Sequence, residues 1–456
     1  MSSSFCYAIF RRNDSMEENI YEKKSVNALI MYFSVPAILS LIVEIMASVV
    51  DTAFAGHLGS ISVDALTAMG LLTPVLNLFT AMQALFAVST SVFIAKYLNK
   101  MKERGEYFFA GITMTLVCSA LFSGVFFLAL DDVLHLLGAE GQVFALAKSY
   151  LKIQLVSNLL SAMGYTLTSC IRAFGYPKVE MCLTTLAVFV NILFNAVFVF
   201  GLHLGFPGLA YGTLVSEIFC TVGAWLWLLA HQLMPGFLNL SLRRFVSCAG
   251  ELMKLGIAQT VIQAMGGCTG FFVNHSLMLH MGNVHVAVWN VVQNLYTLLL
   301  MPTVGITQGV QTILAYFSGQ GKEKEKQQAI RSTMVGTILY GFLAVVCVFL
   351  FGNKLLSLFV DSNQILYLAE IVLKIVFISF PLMGVFYTIM TLLEVTEHEL
   401  KAVGLILTRQ VFLMIPLVYL LPILFSRLSV SVFLSVPIAD FLAMVAAVLF
   451  CRISKQ

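Results

Sequence analysis

Charge is what this sequence has least of. Only 11% of its 456 residues are Asp, Glu, Lys or Arg, under half of the roughly 25% found in an ordinary soluble domain. With 59% hydrophobic residues and a mean hydropathy of +0.93, the composition excludes a soluble globular chain and predicts a polytopic membrane protein. The net charge of +3 is too small for the basic footprint that binds phosphate backbones, so no nucleic-acid partner is expected. CxxC pairs are also missing. The nine cysteines (Cys6, Cys118, Cys170, Cys182, Cys220, Cys248, Cys268, Cys347 and Cys451) lie mostly within apolar runs. They read as small packing residues. His57, His280 and His285 lack metal-ligand spacing. No phosphate loop, nucleotide fingerprint or catalytic triad pattern occurs. An enzyme and an ATP-driven pump are therefore not expected, and neither is a cofactor.

What is present is a series of long apolar runs. A membrane-crossing helix needs roughly 20 mostly apolar residues. Twelve runs qualify, at about 29–55, 65–97, 107–130, 143–171, 178–201, 208–231, 252–279, 285–317, 329–351, 365–393, 401–421 and 429–451. The first is too long for a signal-peptide core and has no convincing cleavage site, so it reads as a retained span. Pro36, Pro74, Pro302, Pro381 and Pro416 fall in or near these runs. Each removes a backbone donor and can bend its helix. The sequon Asn274-His275-Ser276 lies within a run, which argues against glycosylation.

Basic residues assign sidedness. With the N-terminus cytoplasmic, twenty of the 26 Lys and Arg fall inside, in clusters such as Lys23/Lys24, Lys96–Arg104, Arg243/Arg244 and Lys322–Arg331. Only Lys354 and Arg427 fall outside. Lys148, Lys152, Lys374 and Arg409 lie within spans. Both termini are then cytoplasmic.

The chain also repeats itself. Residues 29–60 align with 252–283, 95–103 with 315–323, and 151–166 with 373–388, the last pair with seven identities in sixteen positions. The three offsets nearly agree. Two halves of six spans follow: a cytoplasmic segment 1–27, an N-lobe 28–231, a linker 232–250 and a C-lobe 251–456. Six is even, so both halves enter the membrane from the same side. A pseudo-two-fold axis along the membrane normal is expected, with substrate bound between the lobes near the midplane.

The stretch "LIVEIMASVVDTAFAGHLGS" (41–60) places two acids, Glu44 and Asp51, in the first apolar run. Seven residues is nearly two turns, so both point the same way. An ionisable group at bilayer centre costs about 2.5–3.5 kcal/mol or more. The repeat aligns Asp51 with Asn274 and Glu44 with Gly267. The acids belong to the first half alone.

At this point the chain resembles the MATE (multidrug and toxic compound extrusion) transporters, over nearly all of its length from about residue 28. The carrying residues are Pro36, "VDTAFAGHLG" (50–59), "RAFGYPK" (172–178), "NILFN" (191–195) and "GLAYGTLVSE" (208–217). The resemblance implies twelve helices in two lobes, export driven by H⁺ or Na⁺, and amphipathic organic cations as substrates. It also implies a cation site at Asp51, Tyr150, Asn191, Asn195 and Thr213. The family often has Asp where this chain has Asn195, which leaves the ion as H⁺ or Na⁺. Asn191 and Asn195 are four apart, on one helical face. Carboxylate, amide and hydroxyl oxygens suit a hard cation or a buried proton network.

Glu44 lies about 10 Å deeper than Asp51 at 1.5 Å per residue. It reads either as a counter-ion for a cationic substrate or as a protonated acid bonded to a neighbouring helix. Gln259 with Gln263, and Asn290 with Asn294, are also four apart. They suit a substrate cavity or helix–helix hydrogen bonding. The function expected is a monomeric multi-pass antiporter of the inner membrane, exporting small organic cations and amphipathic drugs. The alternative is a flippase for a lipid-linked oligosaccharide, for which Arg409 is the clear mid-span basic candidate.

The charge asymmetry has a direct test. In a cysteine-free background, Ser241→Cys should react with an impermeant maleimide only after the cells are permeabilised. Labelling in intact cells would overturn the twelve-span topology.

Overall fold

The computed structural model describes residues 20–58, 61–234, 241–357, 363–396, 398–425, 428 and 430–453. Expectations for segment 1–19, residues 235–240 of the linker, Arg427 and Lys455 lie outside the described residues, as do the side chains of Gln259 and Gln263. Among the described residues the regular structure is all helical. Apolar surroundings force this, because each backbone N–H and C=O must find its partner within the chain.

The first half runs α1 (Ile20–Lys23), α2 (Val26–Gly56), α3 (Ser62–Lys96), α4 (Met101–Leu128), α5 (Leu130–Leu136), α6 (Gly141–Ala173), α7 (Pro177–Ala196) and α8 (Phe206–Ala230). The second runs α9 (Leu242–His280), α10 (Asn283–Gly319), α11 (Glu323–Leu356), α12 (Asn363–Phe377), α13 (Phe380–Val395), α14 (Glu399–Leu407), α15 (Ile415–Leu424) and α16 (Ser435–Ile453). Nine described helices are long and apolar enough to cross a membrane, or ten if the bent pair α12–α13 is one span. The expected spans 143–171 and 252–279 fall on α6 and α9, of 33 and 39 residues, which are not among those nine.

Prolines act selectively. Pro36, Pro74 and Pro302 sit inside unbroken helices. Pro381 opens α13 just after a 46° bend from α12, where its missing N–H costs nothing. Two helices lapse into π turns, at Val197–Gly201 after α7 and Thr408–Met414 after α14. Such wide turns often mark functional positions.

The chain packs as two units, Met1–Thr260 with Ala315–Gly321, and Val261–Leu314 with Lys322–Gln456. In the first, Ala55, Ala68, Leu72, Phe79, Tyr150 and Phe206 share a buried cluster. The motif 172–178 forms its turn between α6 and α7. Gly175 takes φ +100°, which glycine adopts without penalty. Beside it Arg172 pairs with Glu180 at 3.1 Å, both buried.

In the second unit, Val292, Tyr296, Val376, Phe377, Phe380 and Phe433 form the core. Small residues let the backbones approach: a Cβ on Gly384 would meet Thr337 Cβ at 2.7 Å. Phe342, Leu343, Val346 and Leu350 stay exposed along α11.

Two irregularities of the second unit, the π turn and the α12–α13 bend, meet at one carboxylate. Asp440 on α16 accepts from Arg409, in the π turn, with Nη2 at 2.7 Å and Nε at 2.8 Å. Its other oxygen accepts from Ser379, at the α12–α13 bend, at 2.7 Å. Asp440 is 2% exposed. Removing one partner of a buried pair leaves an uncompensated charge, at a cost of about 3–5 kcal/mol. Asp440→Ala should therefore lower the unfolding midpoint of the purified protein sharply. Arg409→Met combined with Asp440→Leu should recover most of that loss. A single variant as stable as the parent would show that the pair contributes nothing.

Candidate functional site

The residues aligned with a cation site come together in the first unit. Asp51 sits in the last two turns of α2, half-buried. Facing it on α7 are Asn191 and Asn195, 6% and 0% exposed. Their spacing of four puts both amides on one face. Asn195 Nδ2 donates to Asp51 Oδ1 at 2.6 Å and to Asn191 Oδ1 at 3.1 Å. Asn191 Nδ2 donates to Thr213 Oγ1 on α8 at 3.3 Å, and Thr213 in turn donates to the Leu209 carbonyl at 3.1 Å. With its amide reversed, Asn191 would instead donate to Asp51 Oδ1 at 3.2 Å and accept from Thr213 Oγ1 at 3.3 Å. Either way a continuous polar chain joins α2, α7 and α8.

Local sequence makes this possible. The π turn at Val197 begins two residues after Asn195. Across the interface stands Gly212, where a Cβ would overlap the Asn195 amide. Only glycine lets α8 come this close. Hydrogen bonds to a charged group contribute about 1.5–3 kcal/mol each. Asp51 has no ion-pair partner among the described residues, so neutral amides supply that support.

Tyr150 enters the same core but not the polar chain. Its hydroxyl accepts from Gln154 Nε2 at 2.9 Å, and its ring stacks on Phe206 with centroids 4.9 Å apart. A second network runs nearby: Gln83 donates to Asn158 at 3.0 Å, and Asn158 to Ser123 at 3.0 Å. It ties α3, α6 and α4, and sequence reading did not single it out.

Glu44 is exposed on α2 and has no hydrogen-bond partner among the described residues. Its electrostatic neighbours are Tyr165 on α6 and Glu217 on α8. Glu217 packs beside Gly164. This acid was overlooked in the sequence, although its place in the run 208–231 carries the same cost that draws attention to Asp51. Asp440 was overlooked likewise.

In the second unit, Asn290 and Asn294 are exposed on α10, one turn apart, without hydrogen-bond partners among the described residues. The tied polar groups lie elsewhere. Thr269 donates to Gln410 at 2.5 Å and Gln311 to Glu394 at 2.9 Å. No cluster of three or more His, Cys, Asp or Glu able to hold a metal occurs among the described residues.

Comparison with known proteins agrees with this layout. The MatE family model matches residues 36–197 and again 261–420, one match in each half of the internal repeat. The chain is 25% identical over 457 residues to the multidrug export protein MepA of Staphylococcus aureus (strain MRSA252), covering 96% of this chain and 97% of that protein. The MepA of Staphylococcus haemolyticus (strain JCSC1435) is 23% identical, with 93% and 94% covered. Among solved structures, an outward-facing multidrug resistance MATE family transporter of the MOP superfamily superposes with a TM-score of 0.88 at 18% identity, covering 97% of this chain and 98% of that one. The Vibrio cholerae MATE transporter VcmN in its bent form gives 0.86 at 19% identity, covering 93% and 95%. These two share the fold. The two matched stretches span most of the sequence, and the chain belongs to the MatE family, whose members are transporters and not enzymes.

Proposed function

We propose that this protein is a secondary active multidrug exporter. It exchanges amphipathic organic cations for H⁺ or Na⁺ by alternating access. It works as a multi-pass monomer in the inner membrane, with both termini cytoplasmic. Multidrug export by the MepA relatives supports the drug side of this reading. The ion side rests on one observation: the Asp51 carboxylate is held by the Asn195 amide at 2.6 Å, with no basic side chain paired to it among the described residues. A fixed negative charge in that setting favours binding a positive one.

Glu44 and Glu217 supply the complement for a cationic substrate. They interact with each other across α2 and α8. The flippase alternative calls for free basic groups to hold a diphosphate. Arg409 commits two of its nitrogens to Asp440, and Lys148 is paired with Asp131 at 2.6 Å. Both pairings weigh for the exporter.

Two variants separate the roles. Asp51→Asn should leave the protein folded, with dye binding intact, and abolish gradient-driven export from proteoliposomes. Full transport by this variant would remove Asp51 from the coupling site. Glu44→Gln keeps the shape and removes the charge. It should weaken export of a cationic dye such as ethidium while sparing a neutral amphipath. Equal loss for both substrates would assign Glu44 a structural role.

A further inference from the structure

Most of α10 belongs to the second unit, but its end, Ala315–Gly321, packs with the first. α9 divides the same way, with its residues up to Thr260 in the first unit. The two attachments differ in extent. On α9, Gly256 lies so close to α3 that a Cβ would overlap the Leu85 carbonyl. Tyr107 donates to Glu251 at 2.5 Å, and Arg244 pairs with Glu106 at 2.7 Å. α10 has only Ala315–Gly321 to hold it in the first unit.

A stack of three rings secures that end. Tyr21, the buried residue of α1, lies between Tyr316, with centroids 4.3 Å apart, and Phe33 of α2, at 5.3 Å. The three rings are 2% exposed or less. The Tyr21 hydroxyl donates to the Ala173 carbonyl at 2.9 Å. That carbonyl ends α6, where a helix leaves its acceptors unanswered. The Tyr316 hydroxyl donates to Glu22 Oε1 at 3.0 Å. Asn99, after the end of α3, donates to Gln320 at 3.1 Å. A Cβ on Gly319 would overlap the Lys96 carbonyl, and one on Gly175 would meet Ile20 Cγ2 at 2.7 Å.

α1 is a single turn, too short to be stable by itself, and Glu22, Lys23 and Lys24 on it and just after it are exposed. One inserted ring and a few hydrogen bonds keep it in place. Aromatic pairs of this kind are strong enough to bias an equilibrium and weak enough to release. Ala315–Gly321 continue a helix of the second unit. A rearrangement of one unit against the other must therefore break the stack or bend α10. Lys23, Lys24, Lys96, Lys178 and Lys322 lie at or near these helix ends, and such charges favour the cytoplasmic side.

We infer that α1 is a latch on the transport cycle: Tyr21, wedged between Phe33 and Tyr316, pins the end of α10 to the first unit and withdraws when the protein opens toward the cytoplasm. This rests on the reading of the protein as an alternating-access exporter. The repeat aligns 95–103 with 315–323, so corresponding ends of α3 and α10 meet here. α1 precedes the first half alone, which makes the latch an asymmetric addition to a symmetric joint.

Ser318 supplies the probe. Its hydroxyl is buried without a hydrogen-bond partner among the described residues, so Ser318→Cys changes little. In a cysteine-free background of the full-length protein in proteoliposomes, it should react slowly with N-ethylmaleimide. Adding Tyr21→Ala removes both ring contacts and should speed that reaction about tenfold. Tyr21→Phe keeps the stack, loses the bond to Ala173, and should give a smaller increase. Ser276→Cys, buried in the second unit, should label no faster with Tyr21→Ala. Tyr21→Ala should also lower the KM for ethidium offered on the cytoplasmic side, because the state open to that side becomes more populated.

Fast labelling of Ser318→Cys with Tyr21 intact, or no acceleration by Tyr21→Ala, overturns the latch. Equal acceleration at Ser276→Cys means general loosening and overturns it too. Accelerated labelling at Ser318→Cys alone, in a protein that moves no ethidium under either ion gradient, upholds the latch and defeats the exporter reading instead. Accelerated labelling with ethidium transport but an unchanged KM overturns the role of Tyr21 in the cycle.

Discussion

A charged or polar group inside hydrocarbon must be answered by a neighbour in the protein, and the architecture follows from how each one is answered. Three solutions are visible. Arg172 with Glu180, and Arg409 with Asp440, neutralise each other as buried pairs. Gln311 with Glu394, and Gln83 with Asn158, pair an amide with an acceptor. Asp51 is a carboxylate supported by the Asn195 amide, with no basic partner among the described residues. A closed ion pair is finished chemistry. An acid held by neutral donors retains an open demand for one positive charge, and that difference is the basis for proposing Asp51 as the coupling residue.

The scaffold pairs lie where the helices are irregular. Asp440 collects the π turn through Arg409 and the α12–α13 bend through Ser379. Bends and π turns interrupt regular hydrogen bonding, and a strong charged acceptor holds the resulting geometry. In the first unit the π turn at Val197 begins two residues after Asn195, and Gly212 brings α8 against it. The site is therefore built on close backbone approach, with small residues setting the distance. Its precision depends on packing as much as on the polar groups themselves.

Much of this was legible before any coordinates. Low charge and long apolar runs required a polytopic helical protein, because only internally bonded helices satisfy the backbone in lipid. Most expected spans match helices within a few residues. Asp51, Asn191, Asn195 and Thr213 were gathered through family resemblance, and the fold joins them in one hydrogen-bonded chain. Tyr150, named with them, turns its hydroxyl to Gln154 instead.

Other features were decided only in three dimensions. Proline content marked five candidate bends, yet Pro36, Pro74 and Pro302 sit inside continuous helices and the 46° bend coincides with Pro381. Arg409 was visible as a lone mid-span cation, whereas its neutralisation by Asp440 joins residues 31 apart in the chain. The orientation of the Asn195 amide could not be read at all from sequence, which records an amide without saying which end faces the acid. Hydropathy and periodicity are properties of single segments, so the sequence alone determines which runs are apolar and helical. Amide direction and charge pairing are set by contacts among several helices, so only the tertiary structure could decide them.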